Sequence, residues 1–177
     1  LPVTVNGRMF PREDVDLWEF QAVSGQVVWA EVVAARLGSP LDSHLEVLDS
    51  AGRVLAENAD FFGADSFLRF TAPADGTYQV RIRDAAFGGL QHYVYRLTLS
   101  AGPRVDAVYP LGGRRGSVLP LALRGSGLSG GGGEADSVVR DVALPAGAPA
   151  DFEYRLAAGS AETNPFWLQL DDLDEYL

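Results

Sequence analysis

Two acidic segments carry the side chains best suited to hold a metal ion. Asp14 and Asp16 stand two apart in REDVDLW, and Asn58, Asp60 and Asp65 follow one another through AENADFFGADS. Calcium takes about six to eight oxygen ligands from carboxylates, amides and backbone carbonyls. If the two segments meet at one end of the fold, these five residues would furnish several of them. The competing reading is that Asp and Asn stand there as turn formers that bond their own backbone. The spacing of a helix–loop–helix calcium loop is absent. Calcium is the one cofactor these side chains suggest.

Aromatic residues suggest a second chemistry. Trp18, Trp29, Phe61, Phe62, Phe87, Tyr93 and Tyr95 are available to face a ligand. Trp18 and Tyr93 run in phase with apolar neighbours and are expected in the core. Trp29 is out of phase with Val28 and Ala30 and is expected to point outward. Phe61 and Phe62 adjoin Gly63 in a loop, where two adjacent rings do not easily face one core. Trp29, Phe61 and Phe62 are therefore the candidate ligand-binding residues, for an extracellular polysaccharide or a protein. The competing reading has the Phe61-Phe62 loop fold back and plug the open end of a sandwich.

Catalytic material is sparse. There is no cysteine, and His44 and His92 are the two histidines. Asp42, Ser43 and His44 are adjacent, but a nucleophile–base–acid triad is defined by geometry and not by adjacency. No G-x-S-x-G elbow and no H-E-x-x-H helix motif occurs. Arg114-Arg115 between glycines reads as a solvated turn. Residues 129–133, SGGGG, lack the Lys-Ser/Thr that would follow in a phosphate loop. No catalytic residue is assigned, and the chain is expected not to be an enzyme.

Net charge is −10 and all fourteen basic residues are arginine. Phosphate binding needs clustered positive charge, so nucleic acid is not an expected partner. The uniform use of arginine reads as compositional bias. No apolar run of about 20 residues is present, so no membrane insertion is expected. The first residues, LPVTVNG, have neither the basic nor the apolar region of a signal peptide.

The elements that must position these side chains are strands. Apolar residues alternate with polar ones at Trp18-Phe20-Ala22, Val28-Ala30-Val32-Ala34, Leu68-Phe70-Ala72, Tyr78-Val80-Ile82 and Tyr93-Tyr95-Leu97-Leu99. Shorter runs start at Leu45 and Val54. Such alternation marks half-buried strands. Asn6-Gly7, Ser24-Gly25, Ser50-Ala51-Gly52, Asp75-Gly76 and Gly88-Gly89 read as turns. After a break near Gly102-Pro103, further strands are expected at 105–108, 119–123, 138–144, 152–156 and 166–170, with a loop at Gly112-Gly113. The fold class is all-β: an antiparallel sandwich over residues 1–102 and a smaller β unit over 103–177, ending in the acidic DDLDEYL. Unpaired edge strands make a homodimer a candidate assembly.

DVDLWEF, SPLDSHLEVLDSAGRVLAEN, GADSFLRFTAPADGTYQVRIRD and YVYRLTL occur in an order that resembles the bacterial pre-peptidase C-terminal domain over about residues 1–100. The resemblance implies a jelly-roll sandwich, a non-catalytic appendage of secreted hydrolases and large surface proteins. Some relatives in collagenolytic enzymes bind calcium through an acidic segment before the first strand. VDAVYPLGGRRGSVLPLALRGSGL resembles the opening of an IPT/TIG domain, which implies an immunoglobulin-like sandwich. The tandem is similar to that of large secreted proteins of planctomycete-type bacteria. The expected setting is secreted, periplasmic or at the cell surface, beside other domains of a longer protein.

Overall fold

A computed structural model describes residues 1–129 and 135–173. The glycine run at 130–133 and the last four residues of the acidic end lie outside the described residues. The chain divides into two compact units, Leu1–Ala101 and Gly102–Leu177.

The first unit holds eight strands: β1 (Val3–Arg8), β2 (Val15–Ala22), β3 (Val27–Val33), β4 (Ser43–Leu48), β5 (Val54–Asn58), β6 (Phe67–Thr71), β7 (Gly76–Asp84) and β8 (Val94–Ser100). A single 3-10 turn, Ala35–Leu37, follows β3. The strands form two four-stranded antiparallel sheets, in the orders β1-β8-β3-β6 and β2-β7-β4-β5. Alternation decides which side of each strand faces inward. In β7, Tyr78, Val80 and Ile82 are buried while Gln79, Arg81 and Arg83 stay half exposed. Phe20, Val47, Val80 and Ile82 of one sheet meet Val28, Val32, Phe70, Leu97 and Leu99 of the other in one core. Each fully buried side chain of this size contributes roughly 1.5–3 kcal/mol.

The second unit is also all-β. Its strands are β9 (Arg104–Tyr109), β10 (Gly112–Arg114), β11 (Val118–Ser126), β12 (Ala135–Ala143), β13 (Asp151–Tyr154), β14 (Ala157–Ala158), β15 (Ala161–Glu162) and β16 (Phe166–Asp171). Sheets β12-β11-β9 and β10-β16-β13 enclose a core of Leu121, Leu123, Val142, Phe166, Leu168 and Leu170. β14 and β15 form a separate ribbon.

Two expectations about turns are corrected. Asn6 and Gly7 are not a turn but lie inside β1, opposite Arg96 and Tyr95. Gly7 is needed there for space, because a Cβ would lie 2.2 Å from the Tyr95 ring. Gly112 and Gly113 are not a loop but begin β10, which pairs in parallel with β16. A Cβ on Gly112 would lie 1.8 Å from the Gln169 carbonyl oxygen. In both places glycine permits close approach inside a sheet, a role that turn statistics do not distinguish from chain reversal.

Trp29 is also corrected. It is 6% exposed and so presents no open face to a ligand. Its strand is central, so β6 and β8 flank it at the level of Arg69 and Ser100. Being out of phase with one core does not expose a side chain whose strand has neighbours on both sides.

Candidate functional site

The loop after β5 presents two adjacent aromatic rings at the surface of the first unit. Phe61 is 54% exposed and Phe62 38% exposed. Their ring centroids lie 4.7 Å apart at 75°, and Phe61 lies 4.9 Å from the Phe67 ring. Phe67 is itself buried, so it anchors the two exposed rings to the sheet. The loop therefore neither disappears into the sandwich nor hangs free. It forms a knuckle with a buried root.

Backbone chemistry holds this knuckle in shape. Phe62 and Asp65 pair across a tight turn, with Gly63 at φ 63°. The Asn58 side-chain oxygen accepts from the Phe67 N–H at 3.0 Å. Ser43 donates from its hydroxyl to the Ala64 carbonyl at 3.1 Å, and Ser66 donates to the Ala59 carbonyl at 3.0 Å. Ser43 and Ser66 are fully buried and lie hydroxyl to hydroxyl at 2.9 Å.

Asp65 is the deepest part of the arrangement, with no exposed surface. Its Oδ1 accepts from the Ala34 and Ala35 N–H groups at 2.8 and 2.7 Å. Its Oδ2 accepts from the Arg36 N–H at 3.2 Å and from Arg36 Nε at 2.7 Å. Burial alone would raise this carboxyl. The Arg36 guanidinium and the three backbone donors outweigh burial and hold it below the ordinary carboxylate range. Arg36 also pairs with Glu31 at 3.0 Å, and its guanidinium carbon sits 4.7 Å from the Phe62 ring centroid. One carboxylate thus ties the 3-10 turn to the aromatic knuckle.

The five expected metal ligands are not gathered into one cluster. Asp14 accepts from the Phe10 and Val15 N–H groups and shapes the turn before β2. Asp16 accepts from the Tyr95 hydroxyl. Asn58 and Asp65 hold backbone, as described, and Asp60 is exposed. No three of the four aspartates bring ligand oxygens within 4.8 Å of one another; among the described residues, the group that does is His44, Glu46 and Glu57. That group is not suited to a cation. Both Glu46 oxygens accept from Arg81, at 2.5 and 2.8 Å, and His44 Nδ1 lies 2.7 Å from an Arg83 nitrogen. Two guanidinium groups already supply its positive charge. The Arg81 contact holds the Glu46 carboxyl below its ordinary range despite burial.

The Asp42-Ser43-His44 run makes no triad. Successive strand residues point to opposite faces. Ser43 is sealed in the core, while His44 lies on the outer face beside Glu57 and Arg83.

Asp42 presents a different tension. Its Oδ1 is buried without a hydrogen-bond partner. Burial, Asp60 and Asp84 all push its carboxyl up. A carboxyl whose folded value is raised destabilises the fold at any pH above that value, and the penalty is relieved as the pH falls through it. Asp42→Asn is therefore expected to stabilise the chain at pH 7 by up to about 1 kcal/mol. Denaturant melts at pH 7 and pH 4 should show that gain shrinking at the lower pH; equal or lower stability of the variant at pH 7 would contradict it.

Residues 14–84 match the bacterial pre-peptidase C-terminal domain family. That stretch lies in the first unit and includes the knuckle, so for it the resemblance read from the motifs is supported by an independent match. A 70-residue stretch is 41% identical to a probable subtilase-type serine protease of Deinococcus radiodurans, covering 39% of this chain and 10% of that protein. The matched stretch thus spans about a tenth of the curated relative's length. Two solved structures are similar over 56% of this chain. One is the pre-peptidase C-terminal domain of a Bacillus anthracis collagenase, with 16% identity, 90% of that chain covered and a TM-score of 0.46. The other is a periplasmic inhibitor of g-type lysozyme from Aeromonas hydrophila, with 14% identity, 84% covered and a TM-score of 0.44.

Sequence reasoning missed Arg36, Phe67 and Ser66. Arg36 lies in AARLG, with nothing nearby in sequence to mark it as the partner of a carboxylate 29 residues away. Phe67 reads simply as the first residue of a strand. No local signal separates these roles from ordinary ones.

Proposed function

We propose that this chain is a non-catalytic accessory module of a longer secreted or cell-surface protein, and that the Phe61-Phe62 knuckle docks it onto a protein surface. The observation that carries the first part is the match of residues 14–84 to the pre-peptidase C-terminal domain family. The short stretch shared with a much longer subtilase-type protein supports the same reading. The burial of Ser43 argues against a hydrolase built from this chain's own residues. The second unit we read as an immunoglobulin-like spacer of IPT/TIG type, on the strength of the strand ending at Pro110 and the Gly-Ser-Gly that closes β11.

The shape of the knuckle favours protein over polysaccharide. Its two rings meet edge to face at 75°, so they offer a convex apolar tip and not a flat platform for stacked sugars. Such a tip fits a hydrophobic pocket on a partner. The test is co-sedimentation of the purified chain with insoluble elastin, casein, cellulose and chitin. Retention on a protein material is expected to fall about ten-fold or more in the Phe61→Ser/Phe62→Ser variant. Its melting temperature is expected to move little, because both rings are already partly in water. Equal retention of variant and wild type on the protein materials removes the knuckle as the contact. Retention confined to cellulose or chitin and lost in the Phe61→Ser/Phe62→Ser variant would assign the knuckle to a glycan instead.

A further inference from the structure

The first unit carries a second concave feature that shares no lining residue with the knuckle. An open cleft of about 630 Å³ lies along β1 and β2, one edge strand of each sheet. That volume falls in the range of small-molecule sites, about 300–1,000 Å³. We propose that this cleft binds a neutral saccharide.

Its floor is a fixed polar relay. The Trp18 indole N–H donates to the Tyr95 hydroxyl at 2.9 Å, and that hydroxyl donates to Asp16 Oδ2 at 2.5 Å. Tyr95 is only 2% exposed, and its ring packs against the backbone at Gly7, where no Cβ would fit. The relay engages Oδ2 of Asp16 and leaves Oδ1 as an acceptor. Burial and the neighbouring Asp14 push this carboxyl up, although the Tyr95 bond opposes them.

The rim supplies donors and ring faces. Arg8 holds its guanidinium 5.6 Å from the Phe10 ring centroid, and Phe10 is 46% exposed. Asn6 accepts from Arg96 Nε through Oδ1, which leaves its amide N–H groups as donors. Phe10 and Trp18 present apolar ring surface in the same cleft. A carboxylate and a guanidinium in one cleft leave a singly charged ligand of either sign beside one like charge. An apolar ligand would strip water from Asp16 and Arg8 without replacing their hydrogen bonds. A neutral polyhydroxylated ring satisfies both constraints. Its hydroxyls donate to Asp16 and accept from Arg8 and Asn6, while its C–H face lies on an aromatic ring.

The test is isothermal titration of the whole chain with cellohexaose, xylohexaose, chitohexaose and maltohexaose, repeated on Arg8→Ala, Phe10→Ala and Asp16→Asn. Asp16→Asn can still accept from Tyr95 through its one oxygen, so the relay survives while the free acceptor is replaced by an amide donor, and saccharide binding is expected to weaken. At least one hexasaccharide is expected to bind, with about ten-fold or greater loss in Arg8→Ala and in Phe10→Ala. The Phe61→Ser/Phe62→Ser variant is expected to bind as wild type does, which separates this site from the knuckle. Failure of all four saccharides to bind overturns the proposal, and so does binding that survives both rim substitutions. Melting temperatures of the variants within a few degrees of wild type, about 3 °C, show that any loss is not unfolding.

Discussion

Asp65→Ala is expected to lower the stability of the first unit by about 3 kcal/mol at pH 7. The substitution removes four acceptor contacts at once, three of them to backbone N–H groups at the 3-10 turn. The Ala34 N–H is left buried without a partner, and Arg36 loses its closest carboxylate. In a unit of this size the melting temperature should fall by more than about 10 °C. Asp65→Asn keeps one acceptor oxygen and should fall between the two. The pH dependence has a definite sign. The folded carboxyl lies below its unfolded value of about 3.9, so its stabilisation is fully present above that value. It is lost as the pH falls through the lower, folded value. The gap between wild type and Asp65→Ala should therefore stay constant from about pH 5 to 8 and close below about pH 4. Denaturant melts across that range check it, and a gap that persists undiminished at pH 2 would contradict the assignment.

Gly125→Ala is expected to cost the second unit about 3 kcal/mol or more. Gly125 lies in β11, the central strand of its sheet, where the register with β9 slips between Arg124 and Gly125. A Cβ there would lie 1.8 Å from the Arg104 carbonyl oxygen and 3.1 Å from the Val105 Cα. Both obstacles are backbone, so no rotamer change relieves them. The strands must separate and lose ladder hydrogen bonds next to buried Leu123 and Val105. Gly147→Ala is the control, since nothing lies within 4 Å of a Cβ at that position. Its effect should stay within about 0.5 kcal/mol. Equal stability of the two variants in urea would refute the steric account.

These two residues also mark how far sequence reasoning reached. The alternation of Tyr78, Val80 and Ile82 was enough to place β7 and its inward face, because a period of two and burial on one side have the same cause. The same held for Leu119, Leu121 and Leu123 in β11. Gly7, Gly112 and Gly125 were less legible. Glycine permits both a left-handed turn and close backbone approach, and which one applies depends on a partner strand far away in sequence. The roles of the aspartates depend on distant neighbours in the same way. Asp14 and Asp65 each admit a reading as cation ligand and a reading as turn former that bonds backbone N–H groups. Only the placement of Ala34, Ala35 and Arg36 around Asp65 decides the matter. Phe61 and Phe62 were recognisable as loop aromatics, but their buried root at Phe67 was not. Trp29 was misread because phase reports one face of a strand and says nothing of what covers the other.

The ion pairs that stiffen the first unit, Arg36 with Asp65, Arg81 with Glu46 and Arg53 with Asp49, all draw their positive charge from guanidinium. An ammonium side chain would begin to lose its proton near pH 10, whereas guanidinium keeps it beyond about pH 12. With no lysine anywhere in the chain, none of these contacts has an alkaline end point within the range proteins normally meet. The cross-links of this sandwich are consequently indifferent to alkalinity, and its tolerance of base is set by the peptide chain and its tyrosines.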